Sequence, residues 1–139
     1  MTLYILDTDH FSLNQRGFPA LKTRLMQLPI EDVAITVITV EEQLKGWLAY
    51  ISKATTAESR VNGYHRLKEA VFDFGRIQVL EYDASVDSQF HQLRQQKIRI
   101  GSQDLRIAAI TLVHNGILVT RNTKDFSQVP GLQIEDWTV

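Results

Sequence analysis

The amino-acid sequence predicts an α/β fold in which helices cover both faces of a mainly parallel β-sheet of about five strands. Two observations lead to this prediction. Short runs of apolar and β-branched residues alternate along the chain with longer amphipathic segments. Strands that are separated by helices pair in parallel through right-handed crossovers. We therefore expect a sandwich of three layers that occupies residues 1–139 as a single domain.

The first half of the chain predicts two strands, each followed by helical segments. Residues 3–6 form the first apolar run, and the amphipathic segment over about 9–28 predicts a helix. The run at 33–40, Val-Ala-Ile-Thr-Val-Ile-Thr-Val, is typical of a strand that is buried on both faces. We expect one helix directly after it and another over about 57–74.

The second half repeats the alternation of short apolar runs with helical segments. The expected elements, in order, are a strand at 77–80, helices at 84–96 and 103–114, and strands at 117–120 and 132–134.

The composition excludes several kinds of chemistry. The chain has no cysteine, which rules out disulfide scaffolds, zinc–cysteine sites and thiol catalysis. Lys and Arg total 15 against 16 Asp and Glu, so the total charge does not indicate a nucleic-acid partner. No segment approaches the roughly 20 apolar residues that span a bilayer, and the first apolar run is too short for a signal peptide. We expect a cytoplasmic protein with no membrane partner.

Four carboxylates fall at the expected carboxyl ends of strands or at the helix starts that face them. Asp7 follows the first strand and Glu42 the second, Asp104 opens a helix, and Asp125 follows the fourth strand. Ligands of open parallel sheets bind at this edge. Converging carboxylates repel each other unless a cation lies between them, so we predict an all-oxygen site for Mg²⁺, with Mn²⁺ as a substitute. Such ions suit the hydrolysis of phosphodiesters by activated water.

Each of these acidic residues also has a purely structural interpretation. Thr39 and Glu42 fit a capping box, with Thr39 as the N-cap. Asp104 in a first helical turn favours the helix dipole. Asp7 and Asp9 could turn the chain and cap the first helix. Capping and a role in a site are compatible, and both interpretations stay open at this stage.

Five short motifs, in order along nearly the whole chain, resemble those of one protein family. They are residues 6–9 (Leu-Asp-Thr-Asp), 39–42 (Thr-Val-Glu-Glu) with Gly46, 100–104 (Ile-Gly-Ser-Gln-Asp), 119–126 (Val-Thr-Arg-Asn-Thr-Lys-Asp-Phe), and 129–132 (Val-Pro-Gly-Leu) with 135–137 (Glu-Asp-Trp). The family is that of the PIN-domain ribonucleases, and specifically the VapC-type toxins of bacterial toxin–antitoxin pairs. The resemblance implies a PIN-like fold and a Mg²⁺-dependent endoribonuclease.

The resemblance also implies roles for individual residues. Asp7 and Asp104 match the principal metal-coordinating acids of the family, and Glu42 matches the acid of the second element. Asp125 matches the acid of the last loop, but the commonest family pattern has an aspartate where this chain has Asn122. Either of these two residues, or both, complete the site. The residues expected to support the carboxylates are Thr8, Asp9, Ser102, Thr120 and Asn122.

Partners follow from the resemblance and from local charge. The family implies an RNA substrate, a cognate VapB-type antitoxin and a homodimer. Phosphates supply most of the affinity of nucleic acids for proteins, so cations near the site loops are candidate RNA contacts. Arg99, Arg121 and Lys124 are the first candidates.

Two other functions use the same acidic edge. A phosphatase of the haloacid-dehalogenase type would take Asp7 as its nucleophile and Asp9 as its acid and base, although the paired late aspartates of such enzymes are missing. A catalytically inactive PIN module would bind RNA without cutting it.

Overall fold

Five short parallel strands form a sheet in the described part of the chain, in the order β3-β2-β1-β4-β5. The computed structural model describes residues 2–139. The strands and helices are β1 Tyr4–Leu6, α1 Thr8–Gln15, α2 Pro19–Met26, β2 Val33–Thr36, α3 Val37–Lys53, α4 Ala57–Phe74, β3 Gln78–Leu80, α5 Ala84–Gln95, α6 Ser102–Val113, β4 Ile117–Val119, α7 Thr123–Phe126 and β5 Gln133–Glu135, with a 3₁₀ turn at Ile30–Asp32. The predicted parallel sheet is confirmed.

Successive residues of the central strands contribute to two separate cores. Ile5 and Leu118 pack in a cluster with side chains of α5 and α6, whereas Leu6 and Val119 pack in a second cluster with side chains of α1 and α2. Side chains of a strand alternate between the two faces of its sheet, so the two clusters lie on opposite faces. This arrangement confirms the predicted sandwich. In the part of the chain that the structure describes, no helix is long and apolar enough to cross a membrane.

The single helix expected over about 9–28 is wrong, because two helices occupy this region. Helix α1 ends at Gln15 and α2 begins at Pro19. Gly17 lies between them with a φ of +80°, a conformation that glycine adopts without the steric cost of a Cβ atom. Pro19 is the first residue of α2, where its missing N–H costs nothing. The apolar pattern continues across the break because both helices pack on the same core.

The strand expected at 33–40 is half strand and half helix. Strand β2 ends at Thr36, whose hydroxyl accepts a hydrogen bond from Thr39 N at 3.3 Å and caps α3. The capping box with Thr39 as N-cap is therefore wrong. Ile38 and Thr39 are buried in the first turn of α3, so this turn is as apolar as the strand before it. A short apolar run does not distinguish a buried strand from a buried helix.

The other predicted strands are confirmed with bounds that shift by about one residue. The structure also contains the short helix α7, in a segment that the sequence predicts to be a loop.

Candidate active site

Asp7 joins the central strand to the first helix. Its backbone N–H donates to Val119 O of the neighbouring strand at 3.0 Å. Its carboxylate Oδ1 accepts from His10 N at 2.8 Å, which makes Asp7 the N-cap of α1. The capping role predicted for Asp7 is confirmed, and it uses Oδ1, so that Oδ2 remains for another ligand. The side chain is almost completely buried.

Glu42 is held beside the start of α1 by two threonines. The Thr8 hydroxyl donates to Glu42 Oε1 at 2.6 Å and lies 3.0 Å from the Thr39 hydroxyl. Because Thr8 gives its one proton to Glu42, Thr39 is the donor in the second contact. This chain of hydrogen bonds links the second turn of α3 to the residue that follows Asp7. Thr8 therefore supports a carboxylate, as predicted.

The adjacent Glu41 is engaged elsewhere. It accepts from Gln103 Nε2 at 2.8 Å and pairs with Lys45 Nζ at 3.2 Å. The hydrogen bonds from Gln103 and Lys45 lower the pKa of this exposed carboxyl group. Of the two neighbouring glutamates, Glu42 is thus the one that pairs with no cationic side chain of residues 2–139.

Asp104 shows that the predicted acids act on one another. It lies in the first turn of α6, as predicted, and is about half-buried. Burial, followed by the charges of Glu42, Asp7 and Asp125, raises the pKa of Asp104 from 3.8 to about 6. Burial and each of the three charges raise this pKa. The tertiary structure therefore places all four carboxylates within electrostatic reach of a common region.

These carboxylates do not form a closed cage. Within residues 2–139, no three acidic or histidine side chains are arranged as a ready-made metal cluster. An open set of carboxylates suits Mg²⁺, because this ion dehydrates reluctantly and keeps several of its waters. The donor set has no sulfur, which also favours a hard cation.

Asn122 and Asp125 form a single unit at the end of β4. Asn122 caps α7 by accepting from Asp125 N at 3.4 Å, and its amide donates to Asp125 Oδ2 at 3.0 Å. The Thr120 hydroxyl accepts from Asn122 N at 2.9 Å. Asn122 thus orients Asp125, and it is the Asp125 charge that reaches Asp104.

The remaining predicted residues have other contacts or none among the hydrogen bonds and ion pairs of residues 2–139. Arg121 binds Asp9 through two hydrogen bonds of 2.7 and 3.1 Å, which raise the pKa of the guanidinium group. Ser102 accepts from Arg94 at 2.8 Å. Arg99 and Lys124 are exposed, and neither forms an ion pair with the residues that the structure describes.

The sequence did not reveal a groove beside Glu42. It has a volume of about 590 Å³ and is lined by residues of α1, α3 and α4, with Thr8 and Glu42 among them. Inside it, Gln43 donates to Gln15 at 2.7 Å, and Gln15 donates to Asp73 at 3.0 Å. The signal in the sequence was Gln43, a long polar residue that α3 buries together with Ile38 and Thr39.

Comparison with known proteins places the chain in a family. No family model matches it. Ribonuclease VapC2 of Rickettsia felis is 26% identical across 97% of this chain and 98% of the relative. Ribonuclease VapC1 of Haemophilus influenzae is 30% identical across 98% of both chains. The chain belongs to the VapC ribonuclease family. Another VapC relative, the tRNA(fMet)-specific endonuclease of Shigella flexneri, is 28% identical across 99% of this chain and 100% of its own.

Solved structures of VapC proteins have the same fold. The structure of VapBC2 from Rickettsia felis, bound to a DNA fragment from its promoter, matches with a TM-score of 0.76 and 25% identity, over 98% of this chain and 99% of that one. The structure of VapBC-1 from nontypeable Haemophilus influenzae matches with a TM-score of 0.75 and 26% identity, over 99% and 100%. The expected PIN-like fold of the VapC family is confirmed.

Proposed function

We propose that this chain is the toxin of a VapC-type toxin–antitoxin pair and hydrolyses RNA phosphodiester bonds with a divalent cation at its acidic site. Membership of the VapC family supports the ribonuclease activity. The observation that carries the cation site is the placement of a half-buried Asp104 near the carboxylates of Glu42, Asp7 and Asp125, whose charges add to burial in raising its pKa. A site that concentrates negative charge in this way is stabilised by a cation.

The ion we propose is Mg²⁺, with Mn²⁺ as a substitute. Asp7 and Asp104 would hold it, and Glu42 and Asp125 would complete the negative charge of the site. When bound, such an ion supplies an activated water for attack on the phosphate and stabilises the charge of the leaving oxygen.

The protein's own contribution is to position these groups. Thr8 fixes Glu42 through a hydrogen bond of 2.6 Å, and Asn122 fixes Asp125 through one of 3.0 Å. Preorganised side chains of this kind avoid the cost of reorganisation during the reaction. The exposed Arg99 and Lys124 would contact RNA phosphates, whereas Arg121 would have to exchange Asp9 for a phosphate.

The pairing of Arg121 with Asp9 argues against a phosphatase of the haloacid-dehalogenase type. That mechanism needs Asp9 as its acid and base, and both Asp9 carboxylate oxygens are bound by Arg121. The inactive RNA-binding module is distinguished only by an assay, because it would have the same acids.

We also propose a cognate VapB-type antitoxin and a homodimer as the physiological assembly. The VapBC complexes from Rickettsia felis and Haemophilus influenzae support the first of these partners. Residues 1–139 would act as one nuclease domain, and a toxin that acts on cellular RNA would work in the cytoplasm.

The test is cleavage of a cellular RNA pool, with initiator tRNA as one purified substrate because of the Shigella flexneri relative. We expect cleavage by the antitoxin-free protein with Mg²⁺, none with EDTA, and a loss of at least about 100-fold in Asp104→Asn. Asp87→Asn, an exposed carboxylate on α5, is the matched control and should keep wild-type activity.

Other outcomes would decide between the alternatives. RNA binding without cleavage in Mg²⁺ and in Mn²⁺ would indicate the inactive module. Release of phosphate from a generic phosphomonoester, with intact RNA, would indicate the phosphatase.

A further inference from the structure

His10 is buried in helix α1 and has no part in the proposed hydrolysis of RNA. His10 has no exposed surface, and its Nδ1 is the one buried side-chain polar atom within residues 2–139 that lacks a hydrogen-bond partner. Buried polar atoms are nearly always paired, because an unpaired one loses its hydrogen bonds to water without replacement. An exception that lies one helical turn from Asp7 calls for a physical reason.

The C-terminal segment determines which nitrogen of His10 carries the proton. The backbone N–H of Trp137 donates to His10 Nε2 at 3.3 Å. A ring nitrogen that accepts a hydrogen bond has no proton, so the proton of the imidazole is on Nδ1. The other tautomer would turn two donors, Nε2–H and Trp137 N–H, towards each other. It would gain nothing from Asp136, whose Oδ1 is 3.7 Å from Nε2 and already accepts two hydrogen bonds from Thr138.

The Nδ1 proton lies beside the carboxylate of Asp7. Nδ1 is 3.4 Å from Asp7 Oδ1, the same oxygen that accepts from His10 N at 2.8 Å. The distance is a few tenths of an ångström longer than a good hydrogen bond. A small movement of the carboxylate would close it, and Oδ1 would then be held from two sides while Oδ2 remained available.

The segment that holds His10 is itself firmly packed. Trp137 is buried, its ring lies 5.2 Å from that of Tyr4, and the Arg24 guanidinium is 4.8 Å from the Trp137 ring. Arg24 also pairs with Glu135, and Glu135 accepts from the Trp137 indole N–H at 2.9 Å. The position of the Trp137 backbone is thus set by contacts with β1 and α2.

We propose that His10 is a positioning residue for Asp7: the C-terminal segment holds its Nδ1–H against Asp7 Oδ1, and this orients the carboxylate to bind the cation. The inference rests on the proposed function, because it takes Asp7 as a ligand. Groups that orient a metal ligand in this way typically contribute about 10- to 100-fold to metal affinity.

The first experiment measures the tautomer in the wild-type protein. Nitrogen-15 NMR of the histidine side chains distinguishes a protonated ring nitrogen from an unprotonated one. We expect His10 to be protonated on Nδ1 alone, and we expect this resonance to shift when Mg²⁺ is added. A proton on Nε2, or an Nδ1 resonance that does not respond to Mg²⁺ while the protein binds the ion, would overturn the proposal. This experiment needs no variant and does not depend on activity.

The second experiment compares two variants by Mn²⁺ binding. His10→Asn places an amide near the position of Nδ1 and can still donate to Asp7. His10→Gln places its amide near the position of Nε2 and serves only Trp137. We expect Mn²⁺ affinity to fall by roughly 10-fold in His10→Gln and by much less in His10→Asn. His91→Asn, at an exposed histidine of α5, is the control.

The two proposals fail in different ways. If both folded His10 variants bind Mn²⁺ as the wild type does, His10 does not position Asp7, and the proposed function is unaffected. If the wild type neither binds Mn²⁺ nor cuts RNA, the proposed function itself is wrong. Thermal melts show which variants are folded, and the NMR result decides the question if neither of them is.

Discussion

Asp104 shows how the surroundings of a single residue set the energetic cost of its charge. Its pKa in the folded protein is about 6, against 3.8 for an ordinary aspartate, because burial and three carboxylates disfavour its charge. Between these two values the folded state binds more protons than the unfolded chain. The free energy of unfolding therefore falls as the pH rises from about 4 to 6, and it stays lower above this range. Active sites often carry such a cost.

We predict that Asp104→Asn stabilises the metal-free protein at neutral pH. The asparagine cannot ionise, so the penalty on the charge disappears. The shift would correspond to about 3 kcal/mol if the group were fully buried, and solvent screening of a half-exposed carboxyl reduces this to roughly 1 kcal/mol. Denaturant unfolding in EDTA at pH 7 should show this gain, and at pH 4 it should vanish. An equal difference at both pH values would contradict the electrostatic explanation.

At the scale of elements, the boundaries between α1 and α2 and between β2 and α3 depend on single residues that end or begin a helix. The apolar pattern runs without interruption from α1 into α2 and from β2 into α3, so that periodicity alone does not divide them. Gly17, in the left-handed region, ends the first helix, and the Thr36 hydroxyl begins the third. The glycine was visible in the sequence, but its φ was not. The choice between Thr36 and Thr39 as the cap needed the three-dimensional structure.

The role of Gly17 gives a prediction at this scale. Gly17→Ala should lower the free energy of unfolding by about 1–2 kcal/mol, because its φ of +80° strains any residue that has a Cβ atom. Gly75→Ala is a matched control, since Gly75 has a φ of −76° and an added Cβ would meet only an ordinary contact. This variant should leave stability unchanged or raise it by up to about 1 kcal/mol. Equal losses in the two variants would argue against a requirement for the left-handed conformation.

At the scale of the whole molecule, a cation at the proposed acidic site would couple its binding to the stability of the fold. The four acids of this site are the N-cap residue of α1 and one residue each of α3, α6 and α7. The unfolded chain does not hold these four charges close together. A ligand that binds only the folded state stabilises it by mass action.

We therefore expect Mg²⁺ to raise the melting temperature of the wild type. At a concentration about 100 times the dissociation constant, the gain in the free energy of unfolding should be about 2.7 kcal/mol. Asp7→Asn should lose most of this gain, whereas Glu31→Gln, an exposed acid before β2, should retain it. Equal responses of the two variants in calorimetry would indicate a non-specific effect of the salt.

The sequence by itself determined the fold class, and it predicted the set of four acids. Both depend on local order along the chain: apolar runs that alternate with helices, and carboxylates that directly follow strands. The tertiary structure alone decided which partner each polar side chain has. Arg121 binds Asp9 across 112 residues, and Trp137 binds His10 across 127. The parallel crossovers bring such residues together, and the pattern of neighbouring residues carries no information about contacts of that range.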